Sequence, residues 1–501
     1  ALIKAFPSLD VTCSYKESLG DVNLTDPLWK IPEKGVFTED FQHDLLQDKT
    51  DAVVHSWKDL PTEPKDATYI VATLPRADSR DLLLIKKSCL KNKTMKNLVI
   101  YSSSPRRAHN LSGFFQEYLP LSFDSIEFQS VRGNIQTRVR KLLEAGEVHG
   151  LIVAKAALDR LLSAEAEEFS ATKQFLRQAL SELNWCVLPW RINPNAAAQG
   201  AIAIEILKSR TDLIPYFEKI NHQQTYQDAE AERQCLRSFG GGCHQKIGIS
   251  IQTRGGTQLK FMRGVSEKGQ VLDHESLETE TPCPKFLESE MFYVKSDPFF
   301  TREYLVPTHR QTTPLYLSHP RALQTLEPNG DPIWTAGLST WKALSTQGVW
   351  VHGCSEGLGE ETPDVSVLSG NMGTSMVWTK ISHLEAPEFE TSSDERQDST
   401  PENMHTMKIL PTYQLISRKS DDPLTVSTLR ELQCRKAFFW TSFKAFQRAV
   451  ELEPNLLDKF HFSGPGNTAK SLKKFFRLKN LPQDKLFVVL DGDEWRRKCQ
   501  K

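Results

Sequence analysis

The chain is predicted to be α/β, built from layered lobes with a smaller α+β unit between them. Three observations predict this. At 501 residues the chain exceeds what one hydrophobic core serves, so about three to five domains are expected. Over the first 210 residues, short Val- and Ile-rich runs alternate with amphipathic stretches, the pattern of strands and helices in layers. From 218 to 300 one helix is followed by closely spaced strand-like segments, and from about 312 the alternation returns.

The opening "ALIKAFPSLDVTCSY" reads as the end of a helix running into a strand. "TEDFQHDLLQD" is helical, with Phe37, Phe41 and Leu45 at i, i+4 and i+8. "DAVVHS", "ATYIVATL", "NLVIYSSS" and "GLIVAKAAL" read as buried strands. In the middle unit the helix "DAEAERQCLRSF" leads into a glycine loop, and "KIGISIQTRG", "TQLKFMRGVS" and "GQVLDH" read as strands. Later come "PLYLSH", "DPIWTAG", "MKILPTYQLIS", "KAFFWTS" and "KFHFSG", with "ETSSDERQDSTPEN" at 390–403 as a solvated loop. "AGLSTWKAL" and "GPGNTAKSL" each place a glycine turn before a helix.

The totals exclude several classes. With 62 basic and 63 acidic residues the net charge is −1, so neither nucleic acid nor a membrane surface is expected as a partner. The nine cysteines are scattered, odd in number and without a CxxC pair. That argues against a disulfide framework or zinc site and for a reducing compartment. No apolar run is long enough to span a bilayer and no signal peptide is present, so a cytoplasmic chain is expected. The 13 histidines form no HExxH, so no metal is expected. "GGG" at 240–242 lacks the GK[ST] of a P-loop, and no GxSxG elbow occurs.

Polar residues gather at strand ends, where α/β proteins bind ligands. "VVHSWKDLPTE" puts Ser56, Lys58 and Asp59 in a tight turn closed by Pro61. A Lys–Asp neighbour pair there can hold a carboxylate and stabilise a cation, or can be a plain surface turn with a salt bridge. "YSSSPRRAHNL" brings Ser102, Ser103, Ser104, Arg106 and Arg107 to a helix start. That suits an anion, or a capped helix with a solvated basic turn. Arg132, Arg138 and Lys141 in "SVRGNIQTRVRKL", Arg160 in "AALDRLL", and Lys30 and Lys34 in "KIPEKGVF" are each readable as solvated charge. Together they suit a substrate bearing several carboxylates. "SFGGGCHQKIG" sets Cys243 on a glycine-rich tip, which leaves room for a bulky group on the thiol.

Taken in order, "KGVFTEDFQHDLL…DAVVHSWKDLPTE", "SSSPRRAHNL", "SVRGNIQTRVRKL", "LIVAKAALDRL", "NPNAAAQGAIAIEI" and "ERQCLRSFGGGCHQKIGI" resemble the hydroxymethylbilane synthase (porphobilinogen deaminase) family over residues 1 to about 300. The resemblance implies two lobes like those of periplasmic binding proteins plus a small α+β domain. The expected boundaries are 1–76 with 184–212, then 77–183, then 213–300. It implies a covalent dipyrromethane cofactor on Cys243, condensation of four porphobilinogen molecules with release of ammonia, and hydrolysis to hydroxymethylbilane. Asp59 matches the catalytic carboxylate, which stabilises positive charge as an azafulvene forms. Lys58, Ser104, Arg106, Arg107, Arg132, Arg138 and Arg160 match residues holding acetate and propionate groups. Ser56, Ser103 and Gln199 are further candidates for the cofactor, with Gln199 and Gly200 in the segment returning to the first lobe. Lys30 and Lys34 match a basic loop over the cleft. Three departures stand out. The family's opening strand and helix with "RxSxLA" have no counterpart, which would leave an unpaired sheet edge. Ala157 stands where glycine is usual, and "NPNAAAQG" replaces the usual Pro-Ala-Val-Gly-Gln-Gly.

Residues 312–501 resemble uroporphyrinogen-III synthase through "PTYQLIS" and "KAFFWTSFKAFQRAVELEPNLLDKFHFSGPGNTAKSL". This implies a two-lobed α/β unit and a bifunctional enzyme that cyclises hydroxymethylbilane. Tyr413 matches a proton donor, or is a packed strand aromatic. Ser442, Gly464 and Thr468 match carboxylate-binding positions. The family's opening strand has no clear counterpart, so a shortened lobe is expected. The alternatives are a deaminase with a structural C-terminal unit, and a two-lobed anion-binding protein without catalysis. A monomer is expected, with porphobilinogen and hydroxymethylbilane as ligands.

Overall fold

The computed structural model describes residues 1–16, 39–91, 95–241, 245–254, 256–279, 281–305, 314–323, 330–370, 376–383 and 407–501. The chain splits into two compact units, Ala1–Glu117 with Leu121–Glu278, and Tyr118–Pro120 with Thr279–Lys501.

The first unit holds three sheets. Its strands in chain order are β1 (Val53–Ser56), β2 (Thr68–Thr73), β3 (Asp81–Lys86), β4 (Met95–Tyr101), β5 (Phe123–Gln129), β6 (Gly150–Ala154), β7 (Leu183–Val187), β8 (Ile202–Leu207), β9 (Lys246–Arg254), β10 (Thr257–Val265) and β11 (Val271–Glu278). One sheet is antiparallel in the order β1-β8-β2, so residues 202–207 return to the strands at 53–73. The second has the order β5-β4-β6-β3-β7 and mixes parallel and antiparallel pairs. β6 is buried at every position and β3 at all but its last, and so both read as unbroken apolar runs. The third sheet, β11-β10-β9, is antiparallel and packs against helix α1 (Gln223–Arg237).

Four details differ from expectation. Leu2–Ala5 is helical, but the strand read over the residues that follow does not form. Among the described residues no strand pairs with them, and Tyr15 is almost fully exposed. "GLIVAKAAL" is strand only to Ala154, because the helix Lys155–Ser163 starts there. β7 belongs to the second sheet, so the return to the first lobe comes after 187 rather than at 184. The small domain is expected to run to 300, whereas the first compact unit ends at Glu278. β1 is a sheet edge, with Val54 66% exposed.

The second unit contains β12 (Met291–Val294), β13 (Phe300–Tyr304), β14 (Leu315–Leu317), β15 (Ile333–Thr335), β16 (Gly353–Cys354), β17 (Thr379–His383), β18 (Lys408–Ser417), β19 (Ala437–Trp440), β20 (Phe460–Ser463) and β21 (Leu486–Val488). They form a parallel sheet β12-β19-β20-β21 and a six-stranded sheet β13-β18-β17-β14-β15-β16. The lobe expected to be shortened has an edge strand that the sequence reading did not assign. β12, upstream of the expected boundary at 312, pairs in parallel with β19 and sends Val294 into the core beside Phe438, Trp440 and Phe446. Both glycine turns noted in the sequence cap helices, Gly337 before Leu338–Ser345 and Gly466 before Asn467–Leu478. The loop at 390–403 lies outside the described residues. Among the described residues, no helix is long and apolar enough to cross a membrane, and no group of three His, Cys, Asp or Glu side chains could hold a metal ion.

Candidate active site

The site grows from the turn that ends β1. Trp57–Asp59 form one turn of 3-10 helix, tied down by Trp57 N–H donating to the Ala201 carbonyl at 3.1 Å. Trp57 and Leu60 are buried with Ala198, Ala201, Ala203 and Ala229. Removing a ring buried that well costs about 3–5 kcal/mol, so these two residues fix the turn's orientation. Lys58 and Asp59 are left on the other side, Lys58 half-buried and Asp59 exposed.

Linked to Lys58 through Gln199 is Asp81, the fully buried first residue of β3. Its carboxylate accepts hydrogen bonds from Arg106 Nη2 (2.7 Å), Arg107 Nε (3.0 Å) and Nη2 (2.6 Å), Asn193 Nδ2 (2.8 Å) and Gln199 Nε2 (2.9 Å). Burial pushes this carboxyl up, but Arg107 and Arg106 outweigh burial and hold it well below the carboxylate range. Gln199 also receives Lys58 Nζ at 3.4 Å. Burial lowers the Lys58 pKa; Arg107 and Arg106 lower it further, opposed by Asp59 and Asp81.

Arg106 and Arg107 therefore differ from the open anion ligands read in the sequence. Arg106 also donates to Asn193 Oδ1 and the Pro194 carbonyl, and Arg107 to the Ile152 carbonyl, so both point inward. Ser104 caps their helix, Pro105–Asn110, accepting from Arg107 N at 3.5 Å. Ser103 bridges the ends of β4 and β5 by donating to the Val131 carbonyl and accepting from Val131 N–H. Ser56 is half-buried at the end of β1.

Arg132 and Arg138 are half-buried, and Arg138 Nε donates to the Gly133 carbonyl at 2.6 Å. The Arg138 pKa is lowered by burial, then by Arg107 and Arg132, against Asp59. These four side chains thus share one electrostatic neighbourhood, in which cation faces cation. A ligand with carboxylates relieves that repulsion. Arg160 donates to the Gly200 carbonyl at 2.8 Å, on the segment that carries Gln199. Lys30, Lys34 and Cys243 lie outside the described residues. The flanks of the cysteine loop are described: Gln245 Nε2 donates to the Phe239 and Gly241 carbonyls at 2.7 and 2.8 Å. Gly241 has φ +70°, and a Cβ there would come within 2.4 Å of Thr62 Oγ1. The chain entering the loop therefore passes against Thr62, three residues after Asp59, in a conformation that favours glycine.

The second unit has its own cluster. Tyr413 on β18 is buried, its ring 6.3 Å from Tyr304 and 5.9 Å from His383. Burial raises the Tyr413 pKa, partly opposed by Arg302. Burial, Lys444, Lys380 and Arg302 push the His383 pKa down to about 4. Lys444 lies on the helix Phe443–Leu452 that Ser442 caps, so a helix joins the six-stranded sheet in forming the cluster. Glu360 accepts from Asn467 at 2.7 Å and pairs with Lys380 at 2.7 Å. Thr468 is half-buried in the first turn of the Asn467–Leu478 helix, and Gly464 packs beneath the Leu490 carbonyl.

Sequence reading missed Asp81, Asn193, His383, Arg302 and Glu360. Asp81 had a faint signal, a carboxylate opening the apolar run "DLLLI".

Residues 1–214 match the family model "Porphobilinogen deaminase, dipyromethane cofactor binding domain". The chain is 31% identical over 255 residues to the porphobilinogen deaminase of Syntrophomonas wolfei, covering 51% of this chain and 75% of that one. It is 32% identical over 258 residues to that of a Nostoc species, covering 51% and 72%. With the probable porphobilinogen deaminase of Hyperthermus butylicus the identity is 30% over 261 residues, covering 51% and 77%.

Proposed function

Because this chain belongs to the porphobilinogen deaminase family and its first half is such a deaminase, we propose that Asp59 is the catalytic carboxylate and that Cys243 anchors the dipyrromethane cofactor. The observation that carries this is the exposed Asp59 on a turn fixed from below, beside Arg138, whose charge is disfavoured by burial and by nearby Arg107 and Arg132. That donor set fits a cofactor and substrate rich in carboxylates, which fork-shaped guanidinium groups bind through two oxygens. When bound, dipyrromethane supplies a nucleophilic pyrrole carbon.

Arg132 and Arg138 hold carboxylate side chains at the cleft. Arg107 acts on the same charges from beneath, through its field. Asp59 faces the positive charge that develops as the aminomethyl nitrogen of porphobilinogen departs as ammonia. A fixed carboxylate there stabilises the transition state without reorganisation. Lys58, with its lowered pKa, holds a proton less tightly than an ordinary lysine and lies next to Asp59. Four such condensations and a hydrolysis give hydroxymethylbilane. Intact mass under denaturing conditions tests the anchor. Two linked pyrrole units on the parent, absent from Cys243→Ser, are expected; an unmodified parent would overturn the reading.

We further propose that residues 279–501 act as a uroporphyrinogen-III synthase on that product. The favouring observation is the cluster Tyr413, His383, Arg302 and Lys444, contributed by three strands of the six-stranded sheet and the helix Phe443–Leu452. Tyr413 would give a proton as water leaves. Type III product from porphobilinogen, reverting to type I in Tyr413→Phe, is expected. Type I from the parent would make this unit structural.

A further inference from the structure

Asp59 sits on a turn that cannot hold itself. The turn is one 3-10 turn long, and the side chain of its N-cap residue, Ser56, makes no capping hydrogen bond. So short a helix is marginal by itself. Its backbone is held instead from helix α1, more than 170 residues away in the chain. Arg233, 6% exposed, donates from Nη1 to the carbonyls of Trp57 and Leu60, both at 3.1 Å, and from Nη2 to that of Pro61. One turn further along, Arg237 Nε donates to the Thr62 carbonyl at 3.0 Å.

The residue before Arg233 grips the other side of the site. Glu232 is fully buried and accepts from Ala198 N at 2.7 Å, Ile251 N at 2.8 Å and both Nη atoms of Arg76 at 2.9 and 2.7 Å. Ala198 has φ +62° and precedes Gln199, the residue that joins Lys58 to Asp81. Adjacent residues of one helix therefore hold the Asp59 turn and the segment that carries Gln199. The same helix runs on into the loop that carries Cys243, and Gly241 abuts Thr62.

We propose that Arg233 is a positioning residue for the deaminase reaction, holding the Asp59 turn against helix α1; this rests on the reading of Asp59 as the catalytic carboxylate. The guanidinium does not reach the reacting atoms. It converges three carbonyl oxygens on one rigid fork, which turns the opposite side of the loop, with Asp59, towards the cleft. Lysine places one ammonium where the fork makes three hydrogen bonds. Trp57 and Leu60 stay anchored in their apolar cluster whatever occupies 233. Loss of the clasp therefore loosens the turn without unfolding the lobe.

The test compares Arg233→Lys, Arg233→Met and Asp59→Asn with the parent, all as full-length protein scored for cofactor load by intact mass. In both Arg233 variants kcat per loaded enzyme is expected to fall, by about 10- to 100-fold in Arg233→Met and less in Arg233→Lys, since small misplacements of a reacting group cost that much. KM should stay within about twofold, as expected when only transition-state interactions are lost. Hydrogen exchange at the amides of 58–60 should quicken while β3 and β8 keep their protection. Parental kcat in Arg233→Lys, or a loss confined to cofactor load, would overturn the proposal, and Arg233→Lys decides it if Arg233→Met does not fold. Parental kcat in Asp59→Asn would instead sink the reading of Asp59 itself.

Discussion

Two turns in the first unit begin with similar polar sequence and end with opposite chemistry. After β1, "SWKDLP" exposes Asp59 and leaves Lys58 half-buried. After β4, "SSSPRR" buries both arginines, at 4% and 7% exposure. The difference lies in what is underneath. The first turn stands on an apolar floor of Trp57 and Leu60, which offers a charge nothing. The second stands on Asp81, which draws both guanidinium groups inward. Whether a strand-end charge faces ligand or core is decided by the residue beneath it, not by the motif that carries it.

The largest test of that contrast is removal of the buried counter-charge. Asp81→Asn leaves two guanidinium groups desolvated with a neutral partner, and breaking such a buried pair costs about 3–5 kcal/mol. Urea unfolding of the variant should show that loss. An unchanged midpoint would mean that the arginines are not held by charge. The reverse signature is expected on the first turn. Asp59→Asn should leave the unfolding midpoint alone and lower kcat by about 10²-fold, the scale of a lost electrostatic contact in a transition state.

A pH titration separates floor from site in the β1-β8-β2 sheet. Glu205 on β8 is buried, which raises its pKa, but His55, Lys65 and Thr68 outweigh this and bring it down to about 2. A carboxyl whose folded pKa lies below its unfolded value contributes fully above the unfolded value, near 4.5, and loses that contribution as pH falls towards about 2. Stability of the parent should drop across that window, and Glu205→Gln should flatten the drop. An identical slope would show that Glu205 is not the group titrating. The smallest effect is expected at Ser104. Its cap bond is long, at 3.5 Å, so Ser104→Ala should cost only ~0.5 kcal/mol in the same urea assay.

Much of the local structure was legible in the sequence. Alternating apolar runs located β1, β2, β4 and β6, and the cap-then-proline signal of "SSPRR" located a helix start. Asp59 stood out through the family resemblance of its motif, since lysine and aspartate side by side at a strand end also read as a plain surface turn. Other parts were hidden because their meaning depends on partners far along the chain. Asp81 takes its role from residues 25, 26, 112 and 118 positions away. Arg233 takes its role from carbonyls 172 to 176 positions away, and a carbonyl has no letter in a sequence. β12 was missed because "MFYV" is four residues long and becomes a strand only against β19, which the chain reaches far later. His383 carried no signal in the sequence, because Lys444 and Tyr413 come to it only in the fold.

By itself, then, the sequence determined the layered α/β character, the family and the residue types available at each strand end, because periodicity, turn chemistry and motif order are local properties. Only the tertiary structure decided which of those charges are spent on the core and which are presented to a ligand. Desolvation and Coulomb energies depend on distance in space, and a buried carboxylate recruits its cations from wherever the fold delivers them.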